Sequence, residues 1–93
     1  MDYQKVTVAG SGVLGSQIAF QTAFKGFQVS VYDITDEAVS QAKERIAKLK
    51  PRYQKHLGAT EEEVNLAFDR ITFYSDLSQA VADADLVIEP VPE

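Results

Sequence analysis

A chain of 93 residues with 45% hydrophobic and 25% charged side chains has the make-up of one soluble globular domain with room for a modest core. The net charge of −5 argues against general binding to nucleic acid or to an anionic membrane, and no apolar stretch reaches the length of a membrane span. With no cysteine and His56 as the sole histidine, disulfides and thiolate chemistry are excluded, no metal site is expected, and a cytoplasmic setting is the default.

Residues Met1 to Lys5 run straight into an apolar segment, so no signal peptide is expected. The segment Lys5-Val6-Thr7-Val8-Ala9 reads as a first strand. It leads into Gly10-Ser11-Gly12-Val13-Leu14-Gly15, a Gly-x-Gly-x-x-Gly turn, and then into a helix over about Val13 to Lys25 with Gly26 as its stop. A second apolar run, Val29 to Tyr32, ends on Asp33, eighteen residues past Gly15. Strand, glycine turn, helix, strand and acid in that order form the pattern of a dinucleotide-binding unit. Gly10 permits the tight turn, Gly12 lets the backbone approach a pyrophosphate, and Gly15 lets the helix sit close to the sheet. The helix N-terminus offers N–H groups and the positive end of its dipole to the phosphates. Three glycines alone are a weak signal; the strand before, the helix after and the acid beyond make it stronger.

Asp33 is placed to accept hydrogen bonds from the adenosine ribose. A carboxylate repels a 2′-phosphate, and neither Ile34 nor Thr35 is a cation that could receive one, so NAD is favoured over NADP. The candidate cofactor-binding residues of this unit are Gly10, Ser11, Gly12, Val13, Leu14, Gly15, Asp33 and Ile34. A flavin or S-adenosylmethionine site could share part of the pattern, and so could a glycine-rich turn that binds nothing.

At 100° per residue, Phe20 and Phe24 fall almost opposite Gly15 and so point away from the sheet. Either they pack under a neighbouring element of this chain, or they dock onto another polypeptide. Thr35 is a candidate N-cap, and Ala38, Ala42, Ile46, Leu49 and Tyr53 give the second helix its buried stripe. Pro51 should interrupt that helix near Lys50, and Gly58 should end it. Six of the nine basic residues lie between Lys43 and Lys55, either as a solvated face or as a site for a phosphate-rich substrate such as the nucleotide end of coenzyme A. His56 reads as structural or exposed.

Thr60-Glu61-Glu62-Glu63 is a capping box that opens a short helix through about Phe68. Ile71 to Tyr74 is a third strand, Leu77 to Ala82 a short helix, and Leu86 to Glu89 a fourth strand whose nearly continuous apolar character suggests a central position. The alternation predicts an α/β fold of the Rossmann type: a doubly wound parallel sheet, partial, with four strands in the order 3-2-1-4. A full dinucleotide fold has six strands, so residues 1–93 are expected to be the N-terminal part of a longer dinucleotide-binding domain. The fourth strand would then have an open edge, and self-association through that edge or through Phe20 and Phe24 is expected.

The stretch Gly10 to Ala19, then Val31-Tyr32-Asp33, then Asp83-Ala84-Asp85-Leu86-Val87-Ile88-Glu89-Pro90-Val91-Pro92-Glu93 resembles the NAD-binding domain of 3-hydroxyacyl-CoA dehydrogenases over essentially the whole chain. Val13-Leu14-Gly15-Ser16-Gln17 is especially similar to the diketoreductase-like and lambda-crystallin-like branch. The resemblance implies hydride transfer between NAD and the 3-hydroxy carbon of an acyl-CoA or a related 3-hydroxy acid, in fatty acid metabolism. Glu93 matches the glutamate that orients the family's catalytic histidine, while Pro90 and Val91 fall at positions near the cofactor. The matching histidine and the helical second domain would lie beyond residue 93, so this chain is expected to be inactive alone and its parent to be a homodimer. Pro90 stands where alanine is usual and Leu14 where methionine is common; the second swap nearly conserves volume. A non-catalytic NAD-binding sensor or regulatory module is the alternative. A 3-hydroxyisobutyrate or 6-phosphogluconate type of oxidoreductase is disfavoured by the Glu89 to Glu93 segment.

Overall fold

The computed structural model describes residues 4–10 and 12–89. Four parallel strands form one sheet: β1 (Lys5–Ala9), β2 (Gln28–Tyr32), β3 (Ile71–Tyr74) and β4 (Leu86–Ile88), in the order β3-β2-β1-β4. The expected order 3-2-1-4 is the observed one. Helices α1 (Val13–Phe24), α2 (Asp36–Ala47), α3 (Leu49–Leu57), α4 (Glu61–Asp69) and α5 (Leu77–Val81) make the connections.

The strands alternate because their two faces meet different surroundings. Val8, Val29, Val31 and Ile71 pack with Ala19, Phe20 and Ala23 of α1, Ala42 and Ile46 of α2, and Val64 and Ala67 of α4 in one continuous core. The residues between them, Thr7, Ser30 and Thr72, stand in register across three strands. Thr7 is buried, and its hydroxyl donates to the Ala80 carbonyl of α5 at 2.6 Å. One-sided apolar coverage explains the hydroxyl row in a parallel sheet, where runs apolar on both faces are usual.

Helix α1 lacks an apolar stripe because it is buried on more than one side. Gly15, Ser16, Ala19, Phe20 and Ala23 are all buried, and Phe20 meets the Tyr53 ring of α3 edge-on at 4.7 Å between centroids. Phe24 meets the same ring at 5.1 Å. Packing within this chain therefore covers Phe20 fully and Phe24 in part, as the first of the two alternatives expects. Burial raises the Tyr53 phenol above its ordinary pKa of 10.0.

One boundary differs from expectation. The interruption before Pro51 comes at Lys48, between α2 and α3, rather than at Lys50. Pro51 has no N–H to give the Ala47 carbonyl, and its ring crowds that carbonyl, so the strain falls four residues upstream. Strand β4 lies at the edge of the described sheet, as the order 3-2-1-4 requires, with Leu86 44% and Val87 43% exposed. The capping predictions hold. Thr35 accepts from the Ala38 N–H, Thr60 and Glu63 form the reciprocal box, and Gly58 ends α3 in the left-handed region at φ 68°.

Candidate functional site

The carboxyl ends of β1 and β2 meet the start of α1, and this corner is built by local rules. Gly10 turns the chain off β1 at φ +115°, a conformation that L side chains rarely adopt. Its N–H donates to the Tyr32 carbonyl at the end of β2, 2.9 Å away, which ties the turn to the residue before Asp33. Gly12 is the N-cap of α1, and its carbonyl accepts from the Ser16 N–H at 2.9 Å.

Gly12 differs from Gly10 in kind. Its φ of −59° lies outside the left-handed region, and among the described residues, its chain neighbours aside, a Cβ placed there would meet no atom within 4 Å. The fold does not require glycine at 12, but a ligand lying against the backbone there would. The start of α1 also differs electrostatically from the starts of α2 and α4. Its first turn carries no acid, whereas α2 carries Asp36 and Glu37 and α4 carries Glu61, Glu62 and Glu63. The positive end of the α1 dipole is therefore not offset by its own first turn, which suits an anion such as a pyrophosphate.

Gly15 is buried on the inner side of α1, while Val13 and Leu14 are 64% and 48% exposed. Asp33 follows β2 directly, with its N–H on the Tyr74 carbonyl at 3.2 Å. Its Oδ1 accepts from the Ile34 N–H at 2.6 Å, and that bond fixes the carboxylate at the rim of the sheet. The Ile34 side chain is 78% exposed. The structure thus brings Gly10, Gly12, Val13, Leu14, Gly15, Asp33 and Ile34 to one end of the sheet. Ser11, Pro90, Val91 and Glu93 lie outside the described residues.

A neighbouring feature was only half legible in the sequence. A cavity of about 220 Å³ separates the first turn of α1 from the α2–α3 junction, lined by Val13, Ser16 and Gln17 on one side and Arg45, Lys48 and Arg52 on the other. The basic run therefore divides. Lys43 lies over the Phe73 ring and Lys50 over the Phe68 ring, at 5.7 and 4.3 Å from the centroids, as cation–π contacts. Arg45, Lys48 and Arg52 face the cavity instead. Their spacing of three and four residues is the signal that could have singled them out, but the partner wall from α1 is a tertiary fact. A second, polar cleft of about 260 Å³ lies between α5 and the hydroxyl row on the far face of the sheet. Among the described residues no cluster of side chains could hold a metal ion, and no helix is long and apolar enough to cross a membrane.

This geometry agrees with what is known of other proteins. Residues 5–93 match the family model described as 3-hydroxyacyl-CoA dehydrogenase, NAD binding domain. A probable 3-hydroxybutyryl-CoA dehydrogenase of Bacillus subtilis is 37% identical over 93 residues, spanning 100% of this chain and 32% of that protein. An L-carnitine dehydrogenase of Bacillus cereus is 38% identical over 90 residues, spanning 97% of this chain and 26% of that protein. Among solved structures, a diketoreductase superposes with a TM-score of 0.93 at 52% identity, over 100% of this chain and 33% of that one. The 3-hydroxybutyryl-CoA dehydrogenase of Escherichia coli superposes with a TM-score of 0.86 at 38% identity, over 100% of this chain and 20% of that one. The chain spans about a third or less of the length of these relatives. The glycine turn, the acid-tipped second strand and the 3-2-1-4 parallel sheet accord with these matches: the chain belongs to the 3-hydroxyacyl-CoA dehydrogenase family and matches its NAD-binding domain over residues 5–93.

Proposed function

We propose that NAD lies across the carboxyl ends of β1 and β2, with its pyrophosphate against Gly10 to Leu14 and its adenosine ribose on Asp33. Gly15 keeps α1 close to the sheet, and Ile34 offers an apolar surface beside the ribose. The observation that carries this reading is Gly12, a glycine that the fold leaves unexplained and that a close-lying phosphate explains. When bound, the nicotinamide supplies the hydride chemistry.

We further infer that the full-length protein interconverts a 3-hydroxyacyl-CoA, or a related 3-hydroxy acid, and its 3-keto counterpart in cytoplasmic fatty acid metabolism. Pro90 and Val91 would line the cofactor, and Glu93 would orient a histidine supplied from beyond residue 93. A carboxylate beside an imidazole fixes its tautomer and favours its protonated form, which is what a group that returns a proton to the carbonyl oxygen needs. Arg45, Lys48 and Arg52 favour the thioester over a free acid, because a phosphate-rich carrier suits a cavity with three cations on its wall.

Calorimetric titration tests the cofactor reading: NAD should bind to the chain more tightly than NADP, and equal affinities would overturn the role given to Asp33. Coenzyme A alone should bind too, less tightly as salt rises, and absence of binding at low salt would remove the cavity from the substrate site. Turnover of 3-hydroxybutyryl-CoA by residues 1–93 would refute the assignment of proton transfer to a later histidine.

A further inference from the structure

Asp85 makes a connection that neither the cofactor nor the substrate explains. Its Oδ2 accepts from two backbone groups at the start of β1, the Gln4 N–H at 3.0 Å and the Lys5 N–H at 2.9 Å. Its own N–H donates to the Lys5 carbonyl at 2.8 Å. Three hydrogen bonds thus converge at the amino ends of β1 and β4, one residue before the Val6↔Leu86 pair. Lys5 and Asp83 add an exposed ion pair at 4.0 Å beside them.

The connection matters because, among the described residues, β4 has little besides its pairing with β1 to fix its position. It is three residues long, and within the described sheet it pairs with β1 only. Its exposed Leu86 and Val87 give weak guidance from burial, whereas register is strongly specified only where one face is well buried. A strand advances about 3.3 Å per residue, so any slip at the amino end is passed along the strand to the carboxyl end. Beyond that end the sequence continues into Pro90, Val91 and Glu93.

We infer that Asp85 is a positioning residue: a carboxylate lock at the amino edge of β1 and β4 that sets β4 in register and so presents its carboxyl end to the cofactor. The inference rests on the cofactor reading given above. Both N–H groups meet a single oxygen, so an amide oxygen can stand in for it, while a methyl group cannot.

Asp85→Ala should weaken NAD binding about tenfold, and Asp85→Asn should stay within about threefold of the native chain. In Asp85→Ala the amides of Val87, Ile88 and Glu89 should exchange with solvent about tenfold faster, with α1 and β2 unchanged. Thr60→Ala, which breaks the remote capping box, serves as the control for lost stability; it should lower the melting temperature and leave NAD affinity alone. If Asp85→Ala does not fold, Asp85→Ser, with a shorter acceptor, should give an intermediate loss of affinity and faster exchange in β4. Native affinity in a folded Asp85→Ala or Asp85→Ser chain overturns the inference, and so does a loss that Thr60→Ala reproduces. Failure of the native chain to bind NAD would instead overturn the cofactor reading, while the exchange comparison still decides whether Asp85 locks β4.

Discussion

Gly12→Ala separates folding from binding at a single carbon atom. In the folded chain the new methyl would meet no atom of the described residues within 4 Å, its chain neighbours aside, at a φ of −59° that lies outside the left-handed region. Alanine is a poorer N-cap than glycine by about 0.5–1 kcal/mol, and it restricts the unfolded chain by about 0.4–1 kcal/mol in the opposite direction. The two terms offset, so the change in stability should stay below about 1 kcal/mol. Binding should respond differently. A phosphate oxygen reaches a backbone N–H at about 2.9 Å, whereas carbon contacts settle at about 3.5–4.0 Å. A methyl at position 12 therefore holds the pyrophosphate off by several tenths of an ångström and weakens at least one charge-assisted hydrogen bond. Such a bond contributes about 1.5–3 kcal/mol, which corresponds to a loss of affinity of roughly ten- to a hundredfold. Thermal melting and calorimetric titration with NAD, run on the same samples, give both numbers. Native affinity in Gly12→Ala would refute the reasoning, because it would mean that nothing lies against that backbone; a large fall in melting temperature would refute the claim that the fold tolerates a side chain there.

Three further outcomes follow from particular contacts. Asp33→Ala should weaken NAD binding and narrow the preference over NADP, read by titrating both cofactors; an unchanged NAD affinity would remove Asp33 from the site. Phe20→Ala should cost about 3–5 kcal/mol by chemical denaturation, since the ring is fully buried among α1, α3 and the core; a loss under about 1 kcal/mol would show that Tyr53 and Phe24 close the gap. Burial raises the pKa of the Tyr53 phenol, so its contribution to stability is complete below pH 10.0 and is lost as pH rises through the higher folded value. Tyr53→Phe should therefore flatten the alkaline limb of a stability–pH curve, and an unchanged limb would assign the fall to other groups.

The open edge of β4 is the route by which self-association is expected. The Phe20 and Phe24 rings are taken up by Tyr53, so a sedimentation run that detects dimers should find them sensitive to charge placed on β4, as in Val87→Lys, and insensitive to Phe24→Ala.

Much of this molecule was legible in one dimension because its signals are local. A glycine that must adopt positive φ, a threonine whose hydroxyl reaches an N–H three residues on, and an acid that ends an apolar run all act within a few residues of themselves. Gly10, Thr35, Thr60, Gly58 and Asp33 sit where the sequence put them for that reason. The order of the strands was legible too, because parallel pairing with helical crossovers leaves few topologies. The break at Lys48 was misjudged by two residues, because proline acts on the carbonyl four residues before it.

Tertiary structure decided what depends on residues far apart in sequence. Whether Phe20 and Phe24 were covered depended on Tyr53, about thirty residues away, and only packing could bring that ring to them. The basic run could not be divided until the rings of Phe68 and Phe73 took Lys50 and Lys43 and left Arg45, Lys48 and Arg52 to the cavity beside α1. Asp85 read as one acid in a motif until the fold laid it against Gln4 and Lys5, eighty residues earlier. The sequence by itself determined a glycine turn, the acid at the tip of the second strand and the parallel sheet that carries both, because each is written in neighbouring residues. Contacts that cross the chain, and the space that Gly12 leaves open, existed only once the chain had folded.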